Sequence, residues 1–463
     1  MTIEERLARL EQMVFDDELK SNQALWDRTS RQKKYINNLR IEDEMLDARL
    51  LVLEGEEPPI DPPIDSKYPP TEDINDFDWG DFNPPTSTPN YLEEVTDEIR
   101  GYCSITRIAD PNQSRFDIKY AKHAVFNADD TIMKFPTSNG TAYINVDNLD
   151  DIKYQGTPWG GFWSNTEPDI LYGIYKDDVA FYRLHHSIDE LYYLHDFSDT
   201  HTDIDLGYNE GNIDINDRFV CLIASKKSGG RELIILDIQD AIANPNKESN
   251  IWSRIDMPDG SLDWASISQS GDYIVLDWNN GQGMFVYDNT QGTPSNYRKF
   301  YDSTQHADLG IDDEGNDVWV AYQGDDIGSD GTYLVMVRLS DGKTRNLFED
   351  TTGAKQGVWG GHISCRNTQR PGWAYLSESC CAGDSDGRMS NDVVAIKLSW
   401  EGNDMQYFFR AYNERVSGRD SSSFACPNRK GDMVAFRSYY YSQELRNQYT
   451  SSAPAWLGKV IKE

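Results

Sequence analysis

Gln305-His306-Ala307-Asp308-Leu309-Gly310 leads through a polar turn, Asp312-Asp313-Glu314-Gly315, into an alternating strand, Asp317-Val318-Trp319-Val320-Ala321-Tyr322. A further strand, Thr332-Tyr333-Leu334-Val335-Met336-Val337-Arg338-Leu339, is joined by Ser340-Asp341-Gly342-Lys343 to a short last one ending at Leu347-Phe348. The same plan then restarts at Gly361-His362-Ile363-Ser364, with the turn Gln369-Arg370-Pro371-Gly372 and the strand Trp373-Ala374-Tyr375-Leu376. Four short strands in a unit of about 40–50 residues is the period of a β-propeller blade.

Outward from these two units, the inner turn and its strand recur. Asn127-Ala128-Asp129-Asp130 precedes Thr131-Ile132-Met133, and Asn165-Thr166-Glu167-Pro168 precedes Ile170-Leu171-Tyr172. Further copies are Asp214-Ile215-Asn216-Asp217 before Phe219-Val220-Cys221-Leu222, Ser268-Gln269-Ser270-Gly271 before Tyr273-Ile274-Val275-Leu276, and Pro427-Asn428-Arg429-Lys430-Gly431 before Met433-Val434-Ala435-Phe436. The expectation is an all-β, seven-bladed propeller over 91–463, in which ring closure removes the edges that an open sheet would expose. The terminal strand Trp456-Leu457-Gly458-Lys459-Val460-Ile461 is a candidate to complete a blade with the strand near Tyr102-Cys103-Ser104-Ile105-Thr106, with either terminus able to supply the outermost strand.

Two different segments precede the ring. Residues 1–54 carry broken heptads, Ile3-Leu7-Leu10-Val14 and then Ile36-Leu39-Leu46-Leu50-Leu53, which predict an N-terminal α-helical coiled coil. Self-association into a homo-oligomer, a trimer in preference to a dimer, would bury that stripe; docking on its own propeller is the alternative. Residues 55–90 hold the pairs Pro58-Pro59, Pro62-Pro63, Pro69-Pro70 and Pro84-Pro85 among acidic residues, and read as a stiff linker with Phe77, Trp79 and Phe82 as anchors.

Composition narrows the partners. The formal net charge is -34, and the first 100 residues hold 25 acidic against 11 basic ones, so both this part and the remainder are acidic. Binding to nucleic acid through phosphates is not expected of such a chain. No apolar run reaches the roughly 18–20 residues of a membrane span, and Met1-Thr2-Ile3-Glu4-Glu5-Arg6 is a charged helix start, not a signal peptide. Of the six cysteines, Cys221 reads as a core residue, and Cys380-Cys381 as free thiols or a vicinal disulfide.

In a propeller the residues just before each inner turn line one rim of the central channel. Here they are Lys122-His123, Trp159-Gly160-Gly161, Asn209-Glu210-Gly211-Asn212, Asp263-Trp264, His306 with Asp308, His362, and Ser422-Ser423. Polar and aromatic groups from seven segments thus meet at one mouth, a convergence that packing alone does not require. His306 and His362 stand at matched positions of adjacent blades, where neutral imidazoles with a carboxylate suit a divalent ion such as Zn²⁺ or Mn²⁺. The acidic loops at Asp325-Asp326 with Asp330, and Asp384-Ser385-Asp386-Gly387, offer oxygen ligands of the kind Ca²⁺ takes. His185-His186, His195 and His201 read as surface or packing residues.

The repeated turn and strand resemble the blades of TolB-type, WD40-like propellers. Gln305-His306-Ala307-Asp308-Leu309-Gly310 and Gly361-His362-Ile363-Ser364, with Arg370-Pro371-Gly372-Trp373, resemble a propeller group related to oligogalacturonate lyases, over residues 100–463. That resemblance implies a histidine cluster and a divalent metal acting on uronate sugars, with His306 and His362 as ligands or base; Asp308 is the further ligand suggested by the chemistry of a mixed imidazole–carboxylate site. Ala411-Tyr412-Asn413-Glu414 stands where it implies another histidine. The first hundred residues are similar in plan to bacteriophage tail-fibre stalks. The expected function is therefore an oligomeric virion appendage, joined to other virion proteins by its stalk, whose head binds a surface glycan. Trp159, Trp163, Trp264 and Trp359 would stack on sugars, with Lys122, Glu210, Asp263 and Arg366 supplying polar contacts. Two alternatives are a metal-assisted polysaccharide lyase, with Lys122 and Arg366 offsetting the charge of the polymer, and a purely structural propeller.

Overall fold

In the chain's computed structural model each inner turn closes on itself, and this fixes the blades. The described residues are 67–461 apart from 75–76, 78–84, 86, 156–160, 176–177, 208–209, 258–261, 279–282, 303–305, 324–332, 350–360, 379–391 and 414–421. In six turns the fourth residue donates its N–H to the first residue's carbonyl: Asp130 to Asn127, Asp217 to Asp214, Gly271 to Ser268, Gly315 to Asp312, Arg370 to Asn367, and Gly431 to Asn428. In blade 2 the bond runs from Ile170 to Glu167. Gly271, Gly315 and Gly431 have φ of 87°, 85° and 74°, where glycine is free of a side-chain clash; blades 1 and 3 place Asp130 (65°) and Asp217 (53°) there instead.

Seven antiparallel sheets result, one per blade. Blade 5 shows the pattern: Ala307–Ile311 innermost, then Asp317–Gln323, Tyr333–Arg338 and Thr344–Glu349. Each strand pairs only with its sequence neighbours, so the contacts within a blade are local. Blade 1 keeps three full strands, and a single bridge from Phe126 to Met133 marks its innermost position.

Both termini close the ring. Blade 7 takes Cys426–Pro427, Met433–Arg437 and Ala455–Val460 from the end of the chain, and Cys103–Arg107 from its beginning. The early strand is the outer one of that pair, its Cys103 opposite Val460 and its Arg107 opposite Trp456, and Glu94–Thr96 adds a further strand outside it. Phe436, Trp456 and Leu457 are buried in the same core cluster as Cys103 and Ile105, so closure is driven by apolar burial as well as by the ladder.

Part of the proline-rich segment lies on the ring. Thr71–Asp73 pairs with Gln406, Met405 and Asp404 as a fifth strand on blade 6. Phe77 stacks on Tyr407 at 5.4 Å, and the Tyr68 hydroxyl donates to the Lys430 carbonyl at 2.7 Å. Extended geometry at Pro69-Pro70 is close to that of a strand, which lets the chain enter the edge directly.

The expected architecture of a propeller preceded by an α-helical coiled coil needs correction. The α-helices among the described residues are Ile238–Ala243 and Gln443–Gln448, six residues each, and the fold is a seven-bladed propeller that is mostly sheet. Heptad spacing alone carried the helical expectation, and the stretch that showed it, 1–54, lies outside the described residues, as do Cys380-Cys381 and both acidic loops.

Candidate functional site at the channel mouth

Contacts between blades that are not neighbours can form only near the ring axis, and they reveal two layers. At the turn end, Gln269 of blade 4 donates to the carbonyls of Leu309 (2.8 Å) and Cys365 (2.7 Å), in blades 5 and 6. Arg366 sits in this layer. Its Nη2 is 3.0 Å and its Nε 3.2 Å from the Asp308 carboxylate, which also accepts from the Cys365 N–H at 2.7 Å and the Leu309 N–H at 2.8 Å. Both side chains are buried, with exposures of 4% and 2%, so Asp308, expected as a metal ligand, and Arg366, expected at the glycan, are bonded to each other inside the channel.

The other layer is the mouth, where the inner strands begin. Tyr120 and Lys122 of blade 1 are its hub. Lys122 Nζ lies 2.7 Å from Glu210 Oε2, on the connection within blade 3, and 4.2 Å above the Trp264 ring of blade 4. The Tyr120 hydroxyl is 3.1 Å from His306 Nδ1 in blade 5, and its ring meets His362 of blade 6 edge-on at 5.2 Å. His306 and His362 have ring centroids 4.7 Å apart, and His362 packs on Phe424 of blade 7 at 4.4 Å. Arg437 covers Phe424 at 3.9 Å, and His123 meets Phe162 of blade 2 at 5.0 Å. All seven blades therefore contribute to one cluster.

Exposure divides this cluster. Lys122, Trp264, His362, Phe424 and Arg437 are buried; Tyr120, His123 and Glu210 are partly exposed; Asp263 and His306 are exposed. Trp264 thus serves first as a seat for the Lys122 ammonium, a cation–π contact strengthened by the absence of water. Burial, followed by the charges of His306, Arg437 and Lys122, pushes the His362 imidazole well below its usual range and keeps it neutral. Its Nδ1 is enclosed without a hydrogen-bond partner.

Beneath Lys122 lies Asp277, a residue that sequence reasoning missed. It is the last residue but one of the apolar strand Tyr273–Trp278 and is fully buried, and both carboxylate oxygens lack partners; the Trp264 N–H is directed at it without reaching hydrogen-bond geometry. Burial first, and Asp263 second, push its carboxyl up to about 7 against the pull of Lys122. A lone carboxylate in an otherwise apolar strand was the available signal. Tyr120 and Phe424 were also missed, although each lies within two residues of a position that was read.

The remaining predicted residues lie elsewhere. Trp159 and Trp359 are outside the described residues. Trp163 is buried and donates to the Val125 carbonyl at 2.9 Å. His186 stacks on Tyr143 at 4.1 Å, and burial lowers it to about 4. His201 bridges Thr200 (2.8 Å) and Glu232 (2.9 Å). Among the described residues no three His, Cys, Asp or Glu side chains are grouped to share a metal ion. Asp308 spends its oxygens on Arg366 and two N–H groups, so the set His306, His362 and Asp308 does not fit a divalent ion.

No family model matches the chain, and no curated protein matches it. Solved structures do. An oligogalacturonate lyase from Vibrio parahaemolyticus superposes with a TM-score of 0.56 at 12% identity, covering 82% of this chain and 99% of that one. The likeness is one of fold. TolB from Acinetobacter baumannii (TM-score 0.34, 12% identity, 62% of each chain) and the C-terminal WD40 domain of Sif2 (0.39, 9%, 73% of this chain and 81% of that one) are also similar.

Proposed function

We propose that the propeller is a glycan-binding head that takes its ligand at the channel mouth. One observation carries this reading: all seven blades send side chains to a single cluster, whose accessible members, Tyr120, His123, Glu210, Asp263 and His306, are polar or aromatic. The layer below satisfies its own polar groups, Arg366 with Asp308, whereas these members of the mouth cluster keep surface open to solvent. Planar polar groups beside aromatic rings match a sugar, which offers hydroxyls at its rim and C–H groups on its face.

The setting we propose is an oligomeric virion appendage carrying several such heads. Its support is the order of segments in the sequence, with a charged segment and a proline-paired one ahead of the ring. Lyase activity is a second reading, favoured by the neutral, dry His362 beside the Lys122 ammonium. β-Elimination needs a base for the proton alpha to a carboxylate and a cation for the charge that develops. Its signature is the absorbance of an unsaturated product.

The test is a glycan array probed with the wild-type chain and with His306→Ala. His306 is exposed, so its loss should leave the melting temperature unchanged while weakening binding about tenfold, the usual scale for one charge-free polar contact plus ring area. Equal binding by both proteins would remove the mouth as the site.

A further inference from the structure

We infer that a small inorganic anion of the halide class, such as chloride, binds inside the channel against the Arg429 guanidinium, below the mouth and independently of any ligand there. Arg429 belongs to the inner turn of blade 7, yet its Nη2 donates to the Ser164 carbonyl of blade 2 at 3.4 Å. Blades 7 and 2 are not neighbours, so this side chain lies near the ring axis, at the level of the inner turns. It is 1% exposed, and its Nε and Nη1 are enclosed without a hydrogen-bond partner. Buried donors on a charged group are costly to leave unmet, and an orphan of this kind marks the place of an ion or a water.

Charge decides between the two. Asp130 and Asp217 are near enough to act on Arg429 through space, but neither bonds its guanidinium. Asp130 accepts from the N–H groups of Arg429 and Lys430 and from the Asn428 amide, and Asp217 from Ser164, Asn165 and Thr166. Asp308 is held by Arg366, a second guanidinium whose positive charge also reaches Arg429. Burial first, and Arg366 second, lower the Arg429 guanidinium to about 10 against the pull of Asp130 and Asp217. It therefore stays charged at neutral pH in surroundings that disfavour the charge. Water would accept from its donors and leave that charge uncompensated; an anion answers both. Ser164, Gln269 and Arg366 in this layer are buried as well, which suits a compact ion in preference to a phosphate ester or a sugar acid.

The experiment uses the full chain with bromide as the probe. Crystals soaked in sodium bromide should show an anomalous-scattering peak beside Arg429 Nε or Nη1. In solution, exchanging sodium methanesulfonate for sodium bromide at constant ionic strength should raise the wild-type melting temperature by roughly 1–3 °C, the scale of a ligand held at several times its dissociation constant. Arg429→Gln should cancel that rise. A soaked crystal with no anomalous peak at Arg429, only water there, would overturn the inference. So would a wild-type melting temperature indifferent to the exchange, or an equal rise in wild type and variant. Should Arg429→Gln fail to fold, the two wild-type measurements decide by themselves.

Discussion

Asp277 is the residue that costs the fold most visibly. Its carboxyl ordinarily titrates at 3.8 and is raised to about 7, by burial first and by Asp263 second. A raised carboxyl means that the folded chain holds this proton more tightly than the unfolded one. The associated stability is complete below pH of about 4 and is lost as the pH climbs through about 7. Asp277→Asn keeps the shape and removes the titration. Urea unfolding should find the variant more stable than wild type by about 2–4 kcal/mol at pH 8, with the gap closing toward pH 4. A gap that stays constant across that range would mean that Asp277 is not held protonated. The rim position of His306 was legible because blade period alone sets it. Asp308, two residues on, faces the same channel one layer deeper, and its partner Arg366 comes from the next blade. Nothing local separates an accessible carboxylate from one consumed in this way.

At the scale of the element, the inner turns are also the joints between blades. Asp217 of blade 3 accepts from Ser164 Oγ (2.5 Å), the Asn165 N–H (2.8 Å), and Thr166 N–H (3.1 Å) and Oγ1 (2.6 Å), all in the turn of blade 2. Asp130 accepts in the same way from the N–H groups of Arg429 (2.7 Å) and Lys430 (3.3 Å) across the closing joint of blades 7 and 1. Asp317 does so from the Ser270 N–H at 3.1 Å. These turns were legible in sequence for their local chemistry, an acidic or glycine residue able to adopt positive φ. Their joining role was not, because the donors lie about 50 or 300 positions away in the chain. Asp217→Ala takes the acceptor from the Asn165 N–H and from two hydroxyls in the joint, while the Thr166 N–H keeps Ser164 Oγ at 3.1 Å. It should lower stability by about 2–4 kcal/mol, read as a shift in urea midpoint at unchanged slope. A shift below about 0.5 kcal/mol would show that the joint is held by apolar packing alone.

At the scale of the whole molecule, blade 7 makes the ring a single cooperative object, since its strands come from both ends of the propeller. Removal of residues 1–66 spares Thr71–Asp73, Glu94–Thr96 and Cys103–Arg107, so calorimetry should find the melting temperature within a few degrees of the full chain. Removal through Arg107 opens blade 7 and should abolish the cooperative transition; a retained sharp transition would mean that the early strands are ornamental. The closure was legible as a pairing of terminal strands, but which one lies outermost depends on packing around Trp456 that only the folded ring defines. Recognition at the mouth is tested most directly by hydrogen exchange of the full chain, with and without the sugar that binds best on the array. A ligand at the mouth slows exchange in 119–123, 262–264, 306–308 and 361–364 and leaves the outermost strands of the blades unchanged. The outer strands Glu190–Asp196 and Ser295–Tyr301 carry Tyr192, Tyr193 and Tyr297, which are 46%, 40% and 49% exposed and offer the competing surface. Slowed exchange in those strands, with the mouth segments unchanged, would contradict a glycan site on the axis.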